Sequence, residues 1–225
     1  MRAGRVLCMC CGVVALAVLL APSWADAQCS RGTRRLIRGE RLFFRDTLQA
    51  LKDAMPAPPA GWTVAEETEI RAPRGICIGR ERRPLSIDFM VRYEPAGSAI
   101  ADASVVPAPH HDADEVTGAQ ILVTVNAPRE LFDSAVERVT GPGVPLAFRH
   151  ARGDRSASFD LLLGDWSIFQ PDDPMAAVEA MAHFDTDLAY TRVQSILVQV
   201  DGATAPVNQM MAALDVAALE QLLGR

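Results

Sequence analysis

Residues 44–62 read FRDTLQALKDAMPAPPAGW. Phe44, Leu48, Leu51 and Met55 recur at i, i+4, i+7 and i+11, which puts them on one face of a helix. Pro56, Pro58 and Pro59 stop that helix, because each lacks a backbone donor and disfavours the α region before it. Gly61 frees the backbone, and Trp62 opens an extended run. The stretch therefore predicts a helix over Leu42–Met55, a proline clamp and the first strand of a sheet. The Trp62 indole is expected to lie between the Leu48 and Leu51 face and that sheet.

Strands are expected downstream. Trp62–Ile70 and Gly75–Arg80 are short extended runs. In Leu85–Tyr93, the residues Leu85, Ile87, Phe89 and Val91 alternate with Ser86, Asp88, Met90 and Arg92, a period of two with one buried face. Glu94–Gly118 is a long loop containing Pro95, Pro107 and Pro109. Gln120–Val125 is a further strand. Asn126-Ala127-Pro128 reads as a helix start, with Leu131, Ala135 and Val139 as its periodic positions and Gly141-Pro142-Gly143 as its stop. Leu146–His150 and Ser156–Leu163 flank a hairpin turn, and Trp166–Phe169 follows. Asp172-Asp173-Pro174 opens a predicted short helix, Met175–Ala182. Val193–Val200 is a buried strand. Thr204 and Pro206 begin a closing helix, with Val207, Met210, Met211 and Leu214 on one face. The expected fold class is α+β, an antiparallel sheet packed by an N-terminal helix and C-terminal helices.

Upstream, Arg2 and Arg5 precede an apolar run of 15 residues, Leu7–Ala21, and Ala25-Asp26-Ala27 has the form of a cleavage site. Residues 1–27 read as a secretory signal peptide. Removing 27 of the 225 residues leaves 198, residues 28–225, expected as a single α+β domain. No later run is long enough for a membrane span. The expected location is periplasmic or secreted.

Of five cysteines, only Cys29 and Cys77 follow the leader. A pair in an exported chain is most simply a disulfide, worth about 4 kcal/mol on the chain-entropy argument. Charge is uneven. From Gln28 to Arg83 there are 12 basic and 7 acidic residues; from Pro84 onward there are 8 and 20. The acidic body argues against nucleic-acid binding. Arg31, Arg34, Arg35 and Arg38, continued by Arg41 and Arg45, form a basic stripe if the helix starts near Ser30. Such a stripe either contacts an envelope protein or anionic lipid, or is a solvated face.

His110, His111, Asp112 and Asp114, closed by Glu115, form the densest set of metal-type ligands, against the alternative of a solvated loop tip. His183, Asp185 and Asp187 form a second, sparser set. Arg152-Gly153-Asp154 matches an adhesion tripeptide and equally an ordinary hairpin turn. The chain has no G-x-S-x-G, H-E-x-x-H, phosphate-cradling loop or dinucleotide fingerprint, so no cofactor is expected.

The leader, helix, proline clamp and Gly61-Trp62 recur with a Val/Leu strand, Asp201-Gly202 and a helix through Leu214-Asp215-Val216 to Leu219. This pattern resembles uncharacterised exported proteins of Gram-negative bacteria. The resemblance implies an exported α+β protein and carries over no catalytic residue. The expected function is a non-enzymatic envelope binding or accessory protein. The alternatives are a periplasmic metal binder using the His110–Glu115 loop, or a hydrolase with a carboxylate site.

Overall fold

The structure, a computed structural model, describes residues 32–77, 83–97, 118–132, 136–139, 146–151, 155–170 and 177–225. Within these ranges the fold is mostly antiparallel sheet with a few short helices. The elements in order are β1 (Thr33–Arg35), α1 (Arg38–Ala54), β2 (Trp62–Glu67), β3 (Gly75–Cys77), β4 (Ile87–Pro95), β5 (Ala119–Val125) and β6 (Arg129–Phe132). Then come β7 (Val136–Val139), β8 (Leu146–Ala151), β9 (Ser156–Gly164), β10 (Trp166–Phe169), β11 (Val178–Ala182), β12 (Ser195–Ala203), α2 (Thr204–Ala213) and α3 (Val216–Glu220).

Helix α1 buries Phe44, Leu48 and Leu51, as their spacing predicts, and adds Thr47 and Ala54. It ends before the proline clamp, where the Met55 amide donates to the Lys52 carbonyl at 3.1 Å. Pro56 serves the sheet as well as stopping the helix. Its carbonyl accepts the hydroxyl of fully buried Tyr93 on β4, at 2.8 Å. That bond lets a phenol sit in an apolar core without an orphaned donor. Gly61 takes a left-handed φ of +80°, which turns the chain into β2. Trp62 is partly buried and packs against the core that Leu48 and Leu51 share with the sheet, while Tyr93 is the fully buried aromatic bonded to the clamp.

Seven strands form the main sheet, in the order β2-β4-β5-β12-β9-β8-β7, antiparallel throughout. One face of β4 and β5 is apolar: Ile87, Phe89, Val91 and Tyr93 beside Ile121, Val123 and Val125. These side chains share one core with Phe44, Leu48 and Leu51 of α1, Val207 and Met210 of α2, and Leu219 of α3. Each fully buried side chain of this kind contributes about 1.5–3 kcal/mol. Strands β9 and β12 are buried on both faces, because a second layer lies across them.

That layer is a three-stranded sheet, β10-β11-β6. Phe132, Val178 and Ala180 on its inner face meet Phe148, Leu162 and Leu197 of the main sheet. The rings of Phe132 and Phe148 stack with centroids 4.7 Å apart. Two expected helices are thereby corrected. The segment after Pro128 forms β6 and β7, and the segment ending at Ala182 forms β11. Ladder pairing with distant strands outweighs the local helical spacing at both places.

The helix start near Ser30 is also corrected. Thr33–Arg35 forms β1, paired antiparallel with β3, so Arg34 lies opposite Ile76. Cys77 closes β3 and is disulfide-bonded, with a partner outside the described residues, which is where Cys29 stands. Among the described residues no helix is long and apolar enough to cross a membrane. Residues 1–27 lie outside the described ranges.

Candidate functional site

Strand β5 runs into Asn126, whose backbone is left-handed at φ +56°. Asparagine tolerates that region better than most residues. Its side chain is buried and fully used. Nδ2 donates to the carbonyls of Leu85 and Arg192, both at 2.9 Å. Oδ1 accepts the amides of Gln194 at 2.8 Å and Ser195 at 3.4 Å. Two donors and two lone pairs exhaust what an amide offers. Its backbone amide donates to the Ser195 carbonyl at 2.7 Å. One residue thus ties together the approach to β4, the end of β5 and the start of β12.

The segment 183–194 hangs from this hub. Asp185 Oδ1 accepts the Asp187 amide at 2.8 Å, an Asx turn. Gln194 grips Asp185 at both ends of its amide, Oε1 accepting the Asp185 N–H at 2.7 Å and Nε2 donating to the Asp185 carbonyl at 3.2 Å. The Leu85 amide donates to the Tyr190 carbonyl at 2.8 Å. Gly164, at the end of β9, lies so close that an added Cβ would meet the Gln194 carbonyl oxygen at 2.4 Å. These contacts make an irregular segment a fixed wall.

Between that wall and the start of β4 lies a cleft of about 410 Å3. Its apolar lining is Pro84, Pro128, Ala182, Phe184, Leu188 and Tyr190, with Arg83, Asp185, Thr186 and Gln194 as polar groups. The opposite side of the segment lines a second cleft of about 450 Å3, which shares Phe184, Leu188 and Gln194 and adds His183 and Leu223. An apolar lining with a few placed polar groups is the usual makeup of a small-ligand site.

Arg34 and Tyr190 meet behind this wall. Glu40, fully buried in the first turn of α1, accepts Arg34 Nη1 and Nη2 at 2.9 and 2.6 Å and the Ile37 amide at 2.8 Å. The Arg34 bonds hold its carboxyl down at about 2, against the opposing effect of burial. Burial, and then Glu40 itself, push the Tyr190 hydroxyl up.

A second titratable group lies between the two sheets. His150 Nε2 contacts Asp160 Oδ2, and Gln199 Nε2 donates to Asp160 Oδ1 at 3.1 Å. Glu130, on the inner face of β6, has its carboxyl pushed up by burial and then by the Asp160 charge. Among the described residues no three His, Cys, Asp or Glu side chains are placed to hold a metal ion.

Among the described residues, those singled out from sequence do not come together. His110, His111, Asp112 and Asp114 lie outside the described residues, as do Arg31, Cys29 and the tripeptide at 152–154. Arg34 and Arg35 sit on β1, and Arg38 begins α1, so one continuous helical stripe is corrected. Arg34 pairs with Glu40, Arg41 donates to the Leu36 carbonyl at 2.6 Å, and Arg45 pairs with Asp46. Arg35 and Arg38 are exposed. His183 contacts Ser167, while Asp185 builds its turn. Sequence reasoning missed Asn126, Glu130, His150, Asp160 and Tyr190. Only Asn126 had a local signal, an αL-tolerant residue between a strand and Ala-Pro.

No family model, curated protein or solved structure matches the chain.

Proposed function

We propose that this chain is an exported, non-enzymatic envelope protein, periplasmic or secreted, that binds a small apolar-bodied ligand in the cleft beside Asn126. One observation carries the reading: a fully satisfied, left-handed Asn126 fixes an otherwise irregular segment as the wall of an apolar cleft. Strained residues held by over-determined contacts cluster at ligand sites. In this reading the antiparallel sheet, backed by the N-terminal helix and the C-terminal helices, is the rigid scaffold. A Cys29–Cys77 disulfide would fasten the mature N-terminus to β3.

The test uses the full exported protein and the apolar fluorophore N-phenylnaphthylamine. Saturable binding is expected. Leu188→Arg, at an exposed position on the cleft, should abolish it while leaving the circular dichroism spectrum unchanged. Absence of saturable binding, or equal binding by the variant, overturns the reading. Cell fractionation should recover the chain outside the cytoplasm.

A further inference from the structure

We infer that the cleft beside Asn126 takes a short apolar peptide with free termini, its carboxylate on Arg83 and its ammonium on Asp185. This deepens the ligand-binding reading above and rests on it. Among the described residues lining the cleft, those two carry the formal charges. Arg83 stands just before β4 and Asp185 on the facing wall, so opposite charges flank an apolar lining that includes Pro84, Phe184, Leu188 and Tyr190. The two do not pair with each other, and neither makes an ion pair with another described residue. The wall's other polar groups are already engaged: the Tyr190 hydroxyl donates to Glu40, and the Gln194 amide clasps Asp185.

Both charge-bearing segments hang from the same hub. Asn126 Nδ2 bonds the carbonyl of Leu85, two positions after Arg83, at 2.9 Å. Its Oδ1 accepts the amide of Gln194, the residue that clasps Asp185, at 2.8 Å. The backbones under the two charges are therefore fixed before a ligand arrives, which lowers the cost of binding. A guanidinium fork matches a carboxylate in two parallel bonds, and no described residue competes for Arg83. Asp185 Oδ1 accepts the Asp187 amide, which leaves Oδ2 for an ammonium. A ligand with one charge suits one side of the cleft and is repelled by the other; a zwitterion suits both. Arg83 and Asp185 stand too far apart to pair, which favours termini separated by peptide units, at about 3.3–3.6 Å per residue, over an amino acid with both charges on one carbon. The cleft of about 410 Å3 lies at the small end of ligand sites, about 300–1,000 Å3.

Isothermal titration calorimetry of the full exported chain tests this with the dipeptide Phe-Leu, its N-acetyl form and its C-terminal amide. Saturable binding of Phe-Leu is expected, with each blocked form weaker by about tenfold. Arg83→Gln should lose the preference for the free carboxylate and keep that for the free amine. Asp185→Asn should do the reverse; its side-chain oxygen still accepts the Asp187 amide, so the turn survives. Both positions are exposed, and circular dichroism confirms the fold of each variant. Equal binding of the three peptides overturns the inference. So do preferences unmoved by the two variants, or phenylalanine binding as tightly as Phe-Leu. Saturable N-phenylnaphthylamine binding that Leu188→Arg abolishes then leaves the cleft reading standing. Failure of the fluorophore and of every peptide overturns both.

Discussion

The Tyr190 hydroxyl donates to Oε1 of Glu40 at 2.9 Å, across 150 positions of sequence. Glu40 in turn holds Arg34 of β1 and the Ile37 amide at the start of α1. One carboxylate therefore joins the N-terminal strand, the first helix and the wall of the cleft.

Removing one member of this network should expose the buried charge. Arg34→Ala is expected to cost about 3 kcal/mol, because it strands an anion that burial alone would neutralise. Tyr190→Phe should cost about 1 kcal/mol, the usual net value of one hydrogen bond. Urea unfolding at neutral pH measures both.

The same carboxylate predicts a pH dependence. Its folded value of about 2 lies below the ordinary 4.5. Its contribution is full above the ordinary value and is lost as pH falls from there through the folded value. Glu40→Gln should flatten the acid limb of the stability curve in that window and lower stability at neutral pH. An acid limb as steep as wild type would contradict it.

Glu130 predicts the opposite sign. Its carboxyl is pushed up, so its contribution is full at low pH and is lost as pH rises through the folded value. Glu130→Gln should therefore stabilise the protein at neutral pH and make little difference in acid. Guanidinium unfolding of both proteins at acid and neutral pH reads the difference directly.

Asn126 separates backbone strain from side-chain bonding. Asn126→Gly keeps the left-handed φ but loses four hydrogen bonds; Asn126→Ala loses the bonds and adds the strain. Alanine should be the worse substitution by about 1 kcal/mol. Equal costs would mean the positive φ is relaxed in the alanine variant.

If Cys29 is the partner of Cys77, as proposed above, the exported protein should carry no free thiol. Alkylation without reductant followed by mass spectrometry should find both residues unmodified. Recovery of both as alkylated thiols would remove the bridge from the account.

The strands with one buried face were readable directly. Ile87, Phe89, Val91 and Tyr93 alternate because one side of β4 meets the core and the other does not. The end of α1 was equally plain, since three prolines within four positions leave a helix no continuation. The second sheet was hidden. Phe132 lay within one expected helix and Val178 and Ala180 within another, at spacings that suit either element. What makes them strands is pairing of Val178 with Phe132, far apart in sequence. A local reading contains no term for that pairing. The cleft was hidden for the same reason: Leu85, Asn126 and Arg192 meet only once the main sheet has formed.

The place of β12 in the main sheet has a consequence for the order of folding. It lies between β5 and β9, yet it comes from the last strand-forming segment of the chain, Ser195–Ala203. Until that segment is available, β5 and β9 each lack the neighbour that completes the sheet and present an apolar strand at an open edge. Such edges invite pairing with other chains. Closure also joins residues distant in sequence, which slows folding. Emergence of Ser195–Ala203, and not the zipping of any local hairpin, is the event that commits this chain to its sheet.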